Sequence, residues 1–341
     1  MREFVKYPAY LMLLITQECN LDCVYCYLKN SRSSGCMEKN LITKAVKTLA
    51  RSNIERVHIQ ITGGEPTIYP ELLEYTLKNI RSTVSHASIG LQTNCTLMDK
   101  SLVKMFEKYS VQVGVSIDGL GDVHNKFRGK FEDTLRGLKL LDESEVNFRV
   151  TCVVYKNNIY ELDRLLLFLA NFRNFRGINL DLITKKNGIN SCPERANPEE
   201  LREGLVKFLK TLKWINLSRS VPIAFRQHEM LFKKTKLKCP VMEFQSIALC
   251  TDGSVYPCTH LVGDKRFYCG LIDNIDYSPF KFLSSFVADY GCVNGKCSIF
   301  MGCPGECPAR LYYNAKDFAD HTENNLSCLL YKTIWNHCEN N

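Results

Sequence analysis

Three cysteines, Cys19, Cys23 and Cys26, stand in the stretch ECNLDCVYC (Glu18 to Cys26), spaced as C-x3-C-x2-C. No disulfide pairing uses all three. Thiolates are soft ligands that hold iron well, and a short loop can wrap three of them around one face of a four-iron, four-sulfur cluster. Three ligands leave one iron open, and an open metal position is how a site binds a reactant instead of only holding shape. The competing reading is a zinc site. Zinc wants a fourth local His or Cys, and Cys36 is ten residues away.

The elements that must position this loop follow from hydropathy patterning. Short β-rich runs are expected at Tyr10–Thr16, Val57–Thr62, Ala87–Thr93, Val111–Asp118, Asn147–Val154 and Gly177–Ile183. Amphipathic helical spacing lies between them at Leu41–Ala50, Pro70–Ile80, Ser101–Tyr109 and Thr134–Leu141. Six strand-helix units imply a parallel sheet with helices outside, an α/β fold of the partial (β/α)6 barrel kind, because eight units are not there to close a full one. Active groups in such folds sit at the carboxyl ends of the strands. Each run here ends in a chemically loaded segment: the cysteine loop after Thr16, GGEP after Thr62, Asn94 after Thr93, and Ser116 with Asp118 in the fourth run. A polar loop, Lys185 to Glu200, leads to an expected helix over Glu199–Trp214. Ten cysteines fall from Cys239 onward among many Gly and Pro, which places a domain division near residue 235: residues 1–235 and 236–341.

Bulk composition limits the alternatives. The 341 residues are 45% hydrophobic and 23% charged, an ordinary composition with room for a large core. The apolar run Tyr10 to Ile15 is too short for a signal-peptide core, and no run approaches the roughly 20 residues of a membrane span. The expected address is the cytoplasm, without membrane attachment. Seventeen cysteines in a reducing compartment point to metal, cluster or thiol chemistry instead of a disulfide scaffold. The net charge of +8 comes with short basic runs that lack interleaved aromatics, so it reads as a solvated surface and no nucleic acid is expected as partner.

On the cysteine loop, on Tyr25 before its last cysteine, and on GGEP after the second strand, the sequence resembles the radical S-adenosylmethionine (SAM) superfamily. The resemblance covers nearly the whole chain. It implies that SAM chelates the open iron through its amino and carboxylate groups, and that Gly63, Gly64 and Glu65, followed by Pro66, contact the amino group. Glycines let backbone approach closely, and a carboxylate or carbonyl accepts from an ammonium. VSIDG (Val115–Gly119) and HNKFRG (His124–Gly129) resemble the stretch where a Ser and an Arg hold the SAM carboxylate, roles that fall on Ser116 and Arg128. Asn94 belongs to a segment that commonly reads TNG in the family; here Cys95 replaces the glycine. Cys95 is the one weak catalytic candidate, and a buried inert thiol is the commoner fate of a lone Cys. Cys152, among apolar strand neighbours, reads as core.

The tail series Cys239, Cys258, Cys292, Cys297, Cys303, Cys307 and Cys328 resembles the SPASM domain, a small C-terminal extension that binds up to two auxiliary 4Fe-4S clusters. By that resemblance Cys239, Cys258 and Cys307 serve one cluster, with Cys250 a candidate fourth ligand, and Cys292, Cys297, Cys303 and Cys328 serve the other. Four residues separate Cys292 from Cys297 where the family usually has two. Paired cysteines in Gly-rich turns also describe zinc ribbons.

The implied activity is reductive cleavage of SAM and hydrogen-atom abstraction from a ribosomally made peptide, to form a thioether or carbon-carbon crosslink or a similar oxidation. A protein-residue oxidase of the sulfatase-maturation type and a peptide epimerase are alternatives. In sulfatase-maturing relatives an Asp follows the cysteine of the GxxxxC element, whereas Thr259 follows Cys258 here. An iron-sulfur electron carrier is the alternative from another class; it has no need of a SAM pocket. Expected partners are the precursor peptide, a flavodoxin or ferredoxin-type reductant, and a separate leader-binding protein, because only 18 residues precede Cys19.

Overall fold

The computed structural model describes residues 8–51, 57–186, 193–232, 239–290, 297–300, 302–314 and 325–339. Its first half alternates strand and helix: β1 (Tyr10–Thr16), α1 (Lys39–Ala50), β2 (His58–Gly63), α2 (Pro70–Thr83), β3 (Ser88–Thr93), α3 (Lys100–Lys108), β4 (Val111–Ser116), α4 (Gly121–Phe127), α5 (Phe131–Asp142), β5 (Phe148–Val154), α6 (Leu162–Leu169) and β6 (Phe175–Leu182). The long α7 (Pro198–Ser218), then β7 (Ala224–Phe225), α8 (Arg226–Leu231), β8 (Ser246–Leu249), β9 (Val255–Tyr256), the small hairpin β10 (Gly270–Leu271) and β11 (Asn274–Ile275), α9 (Ser278–Tyr290), α10 (Pro308–Asn314) and α11 (Leu326–Glu339) complete it.

Nine strands form one sheet in the order β7-β6-β5-β4-β3-β2-β1-β8-β9. Every neighbouring pair from β7 to β8 is parallel, and β9 turns back antiparallel on β8. Among the described residues six βα units thus stand in sequential order with neither sheet edge closed onto the other, the partial barrel that six repeats imply. β8 pairs with β1 over Tyr10–Leu13, so the sheet runs across the division expected near residue 235.

Local chemistry sets the boundaries. Asp99 caps α3 by accepting from the N–H groups of Ser101 and Leu102, and α2 opens on Pro70, whose missing N–H costs a helix nothing at that position. Asn197 and Glu200 close a reciprocal capping box at the start of α7. Along β2 to β5 one set of alternating side chains, including Ile59, Ile61, Leu91, Val113 and Val150, is buried in the core. The other set is polar. Gln60, Gln92, Gln112, Arg149 and Thr151 line an open cavity of about 1240 Å³ that runs to the amino ends of the strands. β1, with partners on both sides, is buried along nearly its whole length.

Cys95 is fully buried in the core, at a positive φ of 65°, and α5 passes directly over it. A Cβ on Gly137 of α5 would meet the Cys95 carbonyl oxygen at 2.2 Å and its Sγ at 2.6 Å. Gly137→Ala is therefore expected to destabilise the fold by about 2–3 kcal/mol through overpacking, read as a lowered denaturant midpoint at unchanged m-value.

Candidate active site and cysteine clusters

The carboxyl ends of the strands converge on a second cavity of about 260 Å³. Cys19, Cys23, Tyr25 and Cys26 line it together with Gly63, Gly64, Glu65, Asn94, Ser116 and Arg128. Sequence positions more than a hundred residues apart thus meet at one point. Pro66 is buried in the following turn and does not line the cavity.

The two glycines are needed for a second reason besides the one expected. Gly64 N–H donates to Thr16 O at 2.9 Å and Glu65 N–H to Glu18 O at 2.8 Å, which clamps the loop after β2 onto the cysteine loop. A Cβ on Gly64 would lie 1.9 Å from the Glu18 carbonyl oxygen. One on Gly63, whose φ is +137°, would lie 1.9 Å from that of Thr16. Close approach is therefore to the cysteine loop as well as to the cavity.

The Glu65 carboxylate is already engaged. Oε1 accepts from Thr67 N (3.2 Å), Thr67 Oγ1 (2.7 Å) and Thr93 Oγ1 (2.7 Å), and Oε2 accepts from Asn94 N at 2.6 Å. Burial pushes this carboxyl up and those bonds pull it back. Of the two acceptors expected for an ammonium, the carboxylate thus serves to fix the loops, and backbone carbonyls remain. Asn94 donates through Nδ2 to Asn20 Oδ1 at 2.9 Å, within the same loop as the cysteines.

Arg128 is a buried cation and not a surface one, with a side chain only 11% exposed. Its Nη1 donates to Tyr25 Oη at 2.9 Å and stands 3.9 Å from Asp118 Oδ2, while Tyr25 Oη also bonds Asp118. Its Nε is buried without a partner among the described residues. An unmatched buried N–H at the cavity wall suits an anionic ligand group. Ser116 Oγ accepts from Gln92 Nε2 at 2.8 Å.

His124 lies behind this network. Its Nδ1 accepts from Asp118 N at 3.4 Å, so the neutral ring carries its proton on Nε2, which is buried without a partner of its own among those described.

 Burial, with Arg128 nearby, holds its pKa down at about 3 against an ordinary 6.5. The folded state thus stays unprotonated while the unfolded state takes up a proton below pH 6.5, so stability falls as pH drops from about 6.5 towards 3. His124→Gln is expected to remove up to about 1.4 kcal/mol per pH unit from that slope, read from denaturant midpoints between pH 6.5 and 5.

The thiols of Cys19, Cys23 and Cys26 lie within electrostatic reach of one another. Burial pushes Cys23 up to about 11 and Cys19 up as well, so a bound cation would favour their thiolate forms. Among the described residues no three His, Cys, Asp or Glu side chains converge to chelate a single ion. A four-iron cluster makes no such demand, because each cysteine holds a different iron.

In the tail, Cys239, Cys258 and Cys307 are mutual electrostatic neighbours. Burial pushes Cys239 up to about 12. Cys250 is buried just after β8, with Ser254, Asp252 and Lys186 beside it. Cys297, Cys303 and Cys328 are partly buried, with Cys303 Sγ accepting from Gly305 N at 3.4 Å. Cys292 lies outside the described residues. Cys152 is core, as its strand pattern implies. Arg310 of α10 ties this region to β6, donating to Asp181 Oδ1 (2.8 Å), Leu182 O (2.9 Å) and Glu306 Oε1 (2.7 Å).

The cavity also takes Tyr27, Arg32, Asp181, Thr184 and His260, which the motifs did not single out. His260 stacks on Tyr27 with ring centroids 4.3 Å apart. Asp181 had a signal: it is the acidic member of the polar alternation in NLDL at the end of the sixth strand.

Residues 13–169 match the family described as the Radical SAM superfamily. A cysteine-type anaerobic sulfatase-maturating enzyme of Clostridium novyi is 27% identical over 97% of this chain and 95% of its own length. The antilisterial bacteriocin subtilosin biosynthesis protein AlbA of Bacillus subtilis is 30% identical over 46% of this chain and 35% of its own. In fold, the solved structure of native anSMEcpe with bound AdoMet and Cp18Cys peptide superposes with a TM-score of 0.76 at 22% identity, covering 98% of this chain and 97% of that one.

Proposed function

Because this chain belongs to the radical SAM superfamily through residues 13–169 and is an enzyme of that kind, we propose that it is a maturase of the SPASM type acting on a ribosomally made peptide. It cleaves SAM reductively, takes a hydrogen atom from the peptide, and leaves a thioether or carbon-carbon crosslink or a related oxidation, for which the substrate radical's remaining electron would pass to an auxiliary iron-sulfur cluster and the second proton to solvent. One observation carries the reading: three cysteines, the glycine loop and a buried arginine with an unmatched N–H face one cavity at the carboxyl ends of the strands.

Cys19, Cys23 and Cys26 would hold the 4Fe-4S cluster, which when bound would supply the electron for reductive cleavage of SAM. The Gly63 and Gly64 backbone orients the SAM amino group, and Glu65 fixes that loop against Asn94. Ser116 and Arg128 hold the SAM carboxylate, with Tyr25 and Asp118 orienting the guanidinium. Cys239, Cys258 and Cys307, with Cys250 a candidate fourth ligand, and separately Cys297, Cys303, Cys328 and Cys292, are the auxiliary-cluster ligands in this reading, with residues 236–341 as the SPASM domain. The reductant is a flavodoxin or ferredoxin-type protein, the peptide leader is held by a separate protein, and the site of action is the cytoplasm. Among the described residues no helix is long and apolar enough to cross a membrane.

A second reading, oxidation of a single protein residue as in sulfatase maturation, draws support from the near full-length likeness to the C. novyi enzyme. Thr259 after Cys258 speaks against it. The test is anaerobic incubation of reconstituted enzyme with SAM, dithionite and candidate cysteine-containing peptides. The maturase reading expects 5'-deoxyadenosine together with a crosslinked peptide lighter by two hydrogens. A modified but uncrosslinked peptide favours the second reading, and no 5'-deoxyadenosine under any condition contradicts both.

A further inference from the structure

Arg32 lies six residues beyond Cys26, just after the turn Lys29–Ser31, and its side chain lines the cavity of the three cysteines. Its backbone neighbourhood is fixed. Ser31 N–H donates to Leu28 O at 2.8 Å, and Ser31 Oγ donates to Val262 O at 3.1 Å, so the tail of the chain holds this segment in place.

The guanidinium is turned toward sulfur. It hydrogen-bonds Cys26, lies within electrostatic reach of Cys19, and places Nη1 3.3 Å from Asp22 Oδ1. Its Nε is buried with no partner among the described residues. A charged group's buried N–H left unmatched is costly, so this group wants an acceptor that arrives with the bound state. The acceptors that a cluster on Cys19, Cys23 and Cys26 brings are thiolate and sulfide sulfurs, all of them negatively charged. Arg128, on the same cavity wall, has its own orphaned Nε and is already accounted for by the SAM carboxylate.

We propose that Arg32 is a positioning residue of the N-terminal cluster: it donates to Cys26 Sγ and to a sulfur of the bound cluster, and so holds the cluster's reduction potential up. This rests on the reading that the three cysteines bind that cluster. Reduction adds one electron to the cluster from an external donor such as dithionite and moves no proton. A fixed positive charge and N–H···S bonds stabilise the more negative reduced form, which makes the electron easier to place. The benefit is functional, because a cluster that no physiological reductant can reduce cannot start the reaction.

The test uses anaerobically reconstituted full-length protein and needs no peptide. Redox titration followed by electron paramagnetic resonance is run on wild type, R32Q and R32K, reading the signal that changes on adding SAM and so belongs to the N-terminal cluster. R32Q is expected to lower the reduced-to-oxidised ratio at fixed potential about tenfold, equivalent to about 59 mV for a one-electron couple. R32K, which keeps the charge but loses the planar fork, is expected to fall between. A wild-type potential in R32Q overturns the proposal. Where R32Q takes up no N-terminal cluster, R32K decides: a lowered potential supports the role and an unchanged one removes it. A wild-type protein with no SAM-responsive signal contradicts the cluster assignment itself, which is a different failure from an unshifted potential.

Discussion

Cys23→Ala is expected to reduce 5'-deoxyadenosine formation to background and to lower the iron content by about four atoms per chain, with the tail's iron retained. Cys23 is buried on the wall of the cavity that also holds Cys19 and Cys26, and the next N–H, of Val24, donates to Phe127 O at 2.9 Å, which pins the loop to the end of α4. Alanine at this position leaves two thiols where three iron atoms need one each. The fold loses little, because Cys23 contributes a small side chain, so circular dichroism and the denaturant midpoint should stay near wild type. Iron analysis beside turnover separates the two consequences. Retained turnover in the variant would mean that these cysteines do not hold the reactive centre.

Glu65→Gln is expected to cost about 2–4 kcal/mol in stability and to weaken SAM binding at least about tenfold. The carboxylate accepts from two backbone N–H groups on opposite oxygens, Thr67 N on Oε1 and Asn94 N on Oε2. A glutamine amide has only one oxygen. Whichever way it is flipped, its NH2 group faces a backbone N–H that cannot reverse its role, and one buried donor is left unmatched. The hydroxyls of Thr67 and Thr93 can rotate, so the damage falls on the backbone of the GGE and TNC segments. Those segments line the cavity with Gly63, Gly64 and Asn94. Equilibrium denaturation and calorimetric SAM titration of the reconstituted variant read the two effects. Wild-type values for both would show that the four-donor arrangement has no energetic weight.

Much of this was legible because the period-2 pattern is strong where the sheet is widest. β1 spans Tyr10–Thr16 as its run implies, and β2 to β6 each begin and end within two residues of the expected bounds. The chemistry was legible for the same reason: motifs that directly follow a strand in a parallel sheet are delivered to one end of it. What stayed hidden depends on contacts distant in sequence. β7, β8 and β9 are two to four residues long, too short to show a period, and their places in the sheet are set by pairing of β7 with β6, of β8 with β1 and of β9 with β8. The seven-residue α4 begins on a glycine and carries no apolar stripe long enough to read. The Glu65 carboxylate is saturated partly by Thr93 and Asn94, residues on the next strand's end, so its engagement was invisible to spacing.

The proposed function stands on a single open coordination position at the cluster that Cys19, Cys23 and Cys26 would hold. Electron paramagnetic resonance of the reduced, reconstituted protein, recorded before and after adding SAM, examines that position without requiring the peptide. A change in one cluster's signal on adding SAM, absent in Cys23→Ala, is the predicted result. A wild-type spectrum that SAM leaves unaltered, from a protein with its full complement of iron, would contradict it.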